Sequence, residues 1–238
     1  MRKIQRLAAV GTMAVLTAVM GACSNAEEPA TGVETSAAPQ PGAQSESNPG
    51  ATTPRGNGVT QISDIFGPAC DQIPKDGPGS AKEMATLPVA TAVSHNPLLS
   101  STDPTAPTLT KAVMATNLTD TLNSERALTV FAPANSAFAD FEAKHPGMFK
   151  TLTSDPNVAF ADSNLAKILK YHVVEQRYDA ASLVQAGTVD SMLQGAKIKI
   201  GGTAAAPTVN DAPVLCGNIP TRNATVFVIG QVLSPPAT

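Results

Sequence analysis

The chain has 238 residues, 42% of them hydrophobic but only 4% aromatic and none tryptophan, so one domain with tails is the natural size and its core must be mainly aliphatic. A net charge of −3 with no basic cluster makes it a poor ligand for phosphate backbones. The scarcity of aromatics argues against a platform for single-stranded nucleic acid.

Residues 1–22 read as a signal peptide. Arg2, Lys3 and Arg6 precede an apolar run from Leu7 to Met20 that is too short for an ordinary membrane span. Met20, Gly21, Ala22 and Cys23 resemble the lipobox of bacterial lipoproteins, with Met where Leu is usual. That resemblance implies cleavage before Cys23 and acylation of its thiol, so the first partner expected is a membrane, reached through lipid on Cys23. The other reading is a soluble secreted protein cut nearby, with Cys23 incidental. Loss of the leader leaves thirteen basic against nineteen acidic side chains, a net charge of −6.

From Cys23 to residue 58 the chain is rich in Pro, Ser, Thr, Ala, Gly, Gln and Glu and nearly free of large apolar side chains, so it reads as a disordered linker. About 35 such residues span roughly 30–35 Å as a flexible coil. Thr52 and Thr53, beside Pro54, are candidate O-glycosylation sites; an unmodified tether is the alternative.

Residues 59–87 form an N-terminal extension containing Cys70. Ser80 to Glu83 is a capping-box pattern that starts a helix; Pro88 fits a first turn, Val89 to Ser94 continues helically, and Pro97 ends it. Thr108 caps a helix with Leu109, Ala112, Val113 and Thr116 on one face. Leu118 to Leu122 reads as a short strand, with Asn123 and Ser124 turning the chain.

The organising stretch is Leu128 to Phe141, LTVFAPANSAFADF. A β-prone run through Leu128, Val130 and Phe131 stops at Pro133, and Asn135 or Ser136 caps a helix from Ala137. Farther on, Pro146 to Leu152 reads as a short helix, and Asp162 or Ser163 caps one carrying Leu165, Ile168, Leu169 and His172. The segments Thr188 to Met192, Ala196 to Ile200, Thr208 to Leu215 and Thr225 to Leu233 are strands between turns, with Gly201 and Gly202 as a hairpin turn. Helices early and strands late make an α+β domain.

Three segments then stand out together: TVFAPANSAF, ILKYHVV at Ile168 to Val174, and ATVFVIGQVL at Ala224 to Leu233. In wording and order they resemble the signature boxes of fasciclin (FAS1) domains, over roughly residues 88–236. The resemblance implies helices packed on a small two-sheet, sandwich-like β core, with adhesion or binding as the activity. The extension with its Cys, the GPGS run, PVATAVSHNPLL, DTLNS and VLCGNI make the chain similar to the fasciclin-domain secreted antigens and surface lipoproteins of mycobacteria. In animal fasciclin domains the Tyr-His pair, here Tyr171 and His172, is connected with integrin binding. Gly230 stands where the last box often carries an acid.

With Cys23 assigned to lipid, Cys70 and Cys216 remain, and two thiols in an exported protein are most simply a disulfide. No cofactor or metal site is expected, since Cys-x-x-Cys, HExxH, GxSxG, Walker and GxGxxG patterns are all missing. His145 reads as exposed and His95 as a helix-end cap. For His172 the two readings are a partner contact and a hydrogen-bonding residue that fixes a helix-to-strand corner. The sequence therefore points to a non-enzymatic surface module. The partner expected is a protein or glycan of the envelope, matrix or host surface, or another copy of the chain, and not nucleic acid. The candidate binding surface is Asn135, Ser136, Tyr171 and His172; the alternative is a carrier of a small apolar ligand or lipid between helices and sheet.

Overall fold

The computed structural model describes residues 58–236. The leader, Cys23, the linker, Thr52 and Thr53 lie outside the described residues. Two 3₁₀ turns, Ile62–Asp64 and Cys70–Gln72, open the domain, followed by α1 (Ala81–Met84), α2 (Val89–His95), α3 (Leu109–Ala115) and α4 (Thr119–Ser124). Next come β1 (Leu128–Pro133), α5 (Asn135–Lys144), α6 (Met148–Thr153), α7 (Asn164–Tyr171), β2 (Val173–Val174) and α8 (Ala180–Ala186). The chain finishes in β3 (Thr188–Asp190), β4 (Lys197–Thr203), β5 (Ala206–Val209), β6 (Ala212–Pro220) and β7 (Ala224–Ile229).

All seven strands join in one sheet of order β2-β1-β7-β6-β5-β4-β3, parallel between β1 and β7 and antiparallel elsewhere. The α+β class is as expected, but the two expected sheets are a single curled one. Two register shifts in β6, with Asn218 at φ 57°, bend the middle of the sheet. Its edges nearly meet, since Met192 N–H donates to Val173 C=O at 2.6 Å.

Curling gives the sheet an inside and an outside, and β1 and β7 are buried on both. Leu128, Val130, Ala132, Val226 and Val228 face the helical layer, where they meet Met84, Val89 and Leu99. Phe131, Phe227 and Ile229 point into the concave side with Ile198, Ile200 and Val209. This explains why the first and last boxes read as continuous apolar runs rather than alternating ones. The ring centroids of Phe131 and Phe227 are 6.0 Å apart, a tilted pair at the centre of the sheet.

Three caps expected from sequence are in place. Ser80 accepts from Glu83 N–H, Thr108 from Lys111 N–H, and Ser163 from Ala166 N–H. Elsewhere the local reading needs correction. Leu118 to Leu122 is not a strand but leads into α4, because Leu118 and Leu122, four apart, both bury on one helical face. The helix expected from Ser80 to Ser94 is broken in two, with Pro88 at the N-cap of α2. Gly201 and Gly202 lie inside β4, opposite Thr208 and Pro207, and the hairpin turns at 204–205. Asn210 and Asp211, at φ 46° and 66°, split the run from Thr208 to Leu215 into β5 and β6 by a tight turn. Helix α8 follows a full capping box between Asp179 and Ser182, a signal left unread in the sequence.

Candidate functional site

The three signature segments come together as neighbouring strands. β1 pairs antiparallel with β2 through Val130 opposite Val173, and parallel with β7 through Phe131 opposite Phe227. Phe131 N–H also donates to His172 C=O at 2.9 Å, which locks the end of α7 onto the sheet.

At this corner His172 is buried, with Nδ1 2.8 Å from the Ile168 carbonyl and Nε2 2.9 Å from Leu233 N–H. An amide N–H only donates, so Nε2 must be the acceptor and Nδ1 carries the proton. The ring is therefore neutral. Burial pushes its pKa from 6.5 down to about 4, against the smaller upward pull of the Ile168 carbonyl. Tyr171 is buried too; its hydroxyl donates to Lys197 C=O at 3.0 Å and accepts from Asn210 Nδ2 at 2.7 Å.

Tyr171 and His172 are thus interior residues, and the expectation that they form a contact surface is corrected. Their polar atoms are used up in tying α7 to the last segment and to the sheet. Asn135 is half-buried, and rather than capping α5 it is the first helical residue. Its Nδ2 donates to Pro97 C=O and Ser100 C=O at 2.9 and 2.8 Å, fixing the loop after α2. Of the four candidate surface residues, only Ser136 is exposed.

Sequence reasoning missed two buried asparagines. Asn223 Oδ1 accepts from Val89 N–H, while its Nδ2 donates to Leu122 C=O and Glu125 C=O, joining α2 and α4 to the turn before β7. In the sequence Asn223 stands in an Asn-Ala-Thr run with Thr225, which gives no hint of this role. Asn218 links Ala180 N–H to Asp64 C=O in the same way.

Cys70 and Cys216 form a disulfide with an S–S distance of 2.04 Å across 146 residues. It fastens the second 3₁₀ turn to β6. Beside it Phe66 and Gly217 exchange main-chain hydrogen bonds at 3.3 and 2.8 Å, and Ala69 N–H donates to Leu215 C=O. A side chain at Gly67 would strike Leu215 O at 2.4 Å, so this close approach requires glycine. The extension is part of the domain.

Between α2, α3, α7 and β1 lies an apolar crevice lined by Val89, Val93, Val113, Leu169 and His172. Its volume is about 30 Å³, room for about one water molecule and no acyl chain. Among the described residues no three His, Cys, Asp or Glu side chains are grouped to hold a metal, and no helix is long and apolar enough to cross a membrane.

With this geometry in view, residues 104–235 match the fasciclin domain family. The chain belongs to the fasciclin family. It is 39% identical to the immunogenic protein MPB70 of Mycobacterium bovis over 182 residues, covering 73% of this chain and 84% of that one. It is 34% identical to the cell surface glycolipoprotein MPB83 of the same species over 238 residues, covering 97% and 96%. Transforming growth factor-beta-induced protein ig-h3 of Oryctolagus cuniculus matches at 38% over 131 residues, 54% of this chain and 17% of that one. Among solved structures, a FAS1 domain pair of the insect cell adhesion molecule Fasciclin I aligns with a TM-score of 0.48 and 18% identity, covering 62% of this chain and 51% of that one.

Proposed function

We propose that this fasciclin protein is exported, held at a membrane by lipid on Cys23, and acts by binding a protein or glycan of the envelope, matrix or host surface. The observation that carries the reading is the likeness to a cell surface glycolipoprotein over 97% of this chain, too much to be confined to the described domain. That relative's name supports lipid and sugar on this chain, and Cys23 and Thr52 or Thr53 are the residues its sequence offers for them. The role of the fasciclin boxes is different. Their strands β1, β2 and β7 build the sheet, and of the candidate contact residues they carry only Ser136 is exposed.

The test uses the mature chain with Cys23→Ser, displayed on beads in one fixed orientation. Saturable capture of envelope fragments or matrix protein, competed by free chain, supports the proposal. Retention no better than that of heat-unfolded chain overturns it. The carrier reading, as placed between helices and sheet, finds no room in the 30 Å³ crevice there.

A further inference from the structure

A second concavity lies within the N-terminal extension, between residues 62–75 and α1. We propose that it binds a single-chain amphiphile with an anionic head, its hydrocarbon lying along the groove and its carboxylate held by Lys75 and Lys82. The groove measures about 410 Å³, within the ~300–1,000 Å³ range of small-molecule sites. Ile62, Ile65 and Ile73 line it together with Cys70 of the disulfide. Ile62 is 50% exposed, an unusual degree for an isoleucine in a folded domain, and covering it removes apolar surface from water.

Charge selects the head group. Lys75 and Lys82 are the charged residues in the lining, and both are cations. Neither makes an ion pair or hydrogen bond among the described residues. Of the carboxylates near them in sequence, Asp64 accepts from Gln61 N–H, Glu83 accepts from Gly79 N–H while also meeting His95, and Asp71 and Asp76 are exposed, outside the lining, and in no ion pair with either lysine. A carboxylate entering the mouth therefore meets two unpaired ammonium groups over an apolar floor.

The walls are preformed. The disulfide and the Phe66–Gly217 bridge hold the extension to β6, and Ser80 and Glu83 cap the helix opposite, so little ordering is needed on binding. The linker enters the described domain at Gly58, close in sequence to Ile62, which puts the groove at the tethered end. This last point alone rests on the anchoring proposed above. The assay uses unacylated chain, so its failure and the failure of anchoring are separate results.

The mature chain carrying Cys23→Ser is titrated with laurate below its micelle concentration, with isoleucine methyl signals followed by NMR and affinity by calorimetry. Laurate is expected to shift the Ile62, Ile65 and Ile73 methyls saturably, and dodecyltrimethylammonium to bind roughly tenfold or more weaker. The surface variants Ile62→Ser and Lys75→Glu with Lys82→Glu, checked for native methyl spectra, are expected to weaken laurate by a similar factor. Unmoved methyl signals at these three isoleucines, or equal affinity for the cationic amphiphile, overturn the proposal.

Discussion

Lowering the pH from 7 to 4 should weaken the domain through one residue, His172. Unfolded, its imidazole takes a proton near 6.5; folded, burial holds that step down to about 4. The unfolded chain thus binds the extra proton throughout this window, so stability rises with pH there. The contribution is complete above about pH 6.5 and lost progressively as the pH falls to about 4. One proton over this interval gives a slope of about 1.4 kcal/mol per pH unit and a total of about 3 kcal/mol. Protonation also places a hydrogen on Nε2, where Leu233 N–H now points, and so breaks the bond that holds the last segment. Against a typical domain stability of ~5–15 kcal/mol, that loss is readily measured. Urea unfolding followed by circular dichroism at half-unit steps from pH 7 to 4 supplies the profile. The same series on His172→Phe, which keeps a ring but cannot titrate, subtracts every other group. Asp103, whose carboxyl is held low by the Thr105 hydroxyl and N–H, is common to both series and cancels between them. A wild-type profile parallel to that of His172→Phe refutes the buried neutral imidazole, as does an NMR titration of His172 near 6.5.

Reducing the disulfide, or replacing Cys216 by Ser, should cost about 4–5 kcal/mol in the chain-entropy model for so long a loop, read as a fall in the urea midpoint with dithiothreitol. Asn223→Ala strands a buried N–H and two carbonyls and should cost about 3 kcal/mol or more by the same assay. Phe131→Ala opens a cavity against Phe227 at the sheet centre and should cost about 3–5 kcal/mol in thermal or urea unfolding. Ser136→Ala, at an exposed position, should stay within about 0.5 kcal/mol of wild type.

The parts of the fold that could be read from sequence are those written in local chemistry. Ser80, Thr108 and Ser163 announced their helices because a hydroxyl before an apolar face has one common use. The three boxes were visible because β1 and β7 are buried on both faces and leave few choices of residue. What escaped reading depends on partners distant in the chain. LTDTL suits a strand or a helix until α2 packs on it, and curling of the sheet depends on Asn218 and the register shifts of β6, which have no local signature. Tyr171 and His172 stand out as a contact pair through their likeness to the Tyr-His box of animal fasciclin domains, which says nothing of their burial in this chain. Their partners, Lys197, Asn210 and Leu233, lie 26 or more residues away, and only the closed sheet brings them near. Asn223 was hidden in the same way, by main-chain groups contributed from two helices.

The proposed function stands on export and on anchoring through Cys23, the first residue of the mature chain. The most direct test is mass spectrometry of the amino-terminal peptide from protein recovered in the membrane fraction of cells that make it. A peptide starting at Cys23 whose mass exceeds that of the bare sequence by a diacylglyceryl group is expected. A peptide that retains residues 1–22, or one that starts at Cys23 with a free thiol, contradicts it.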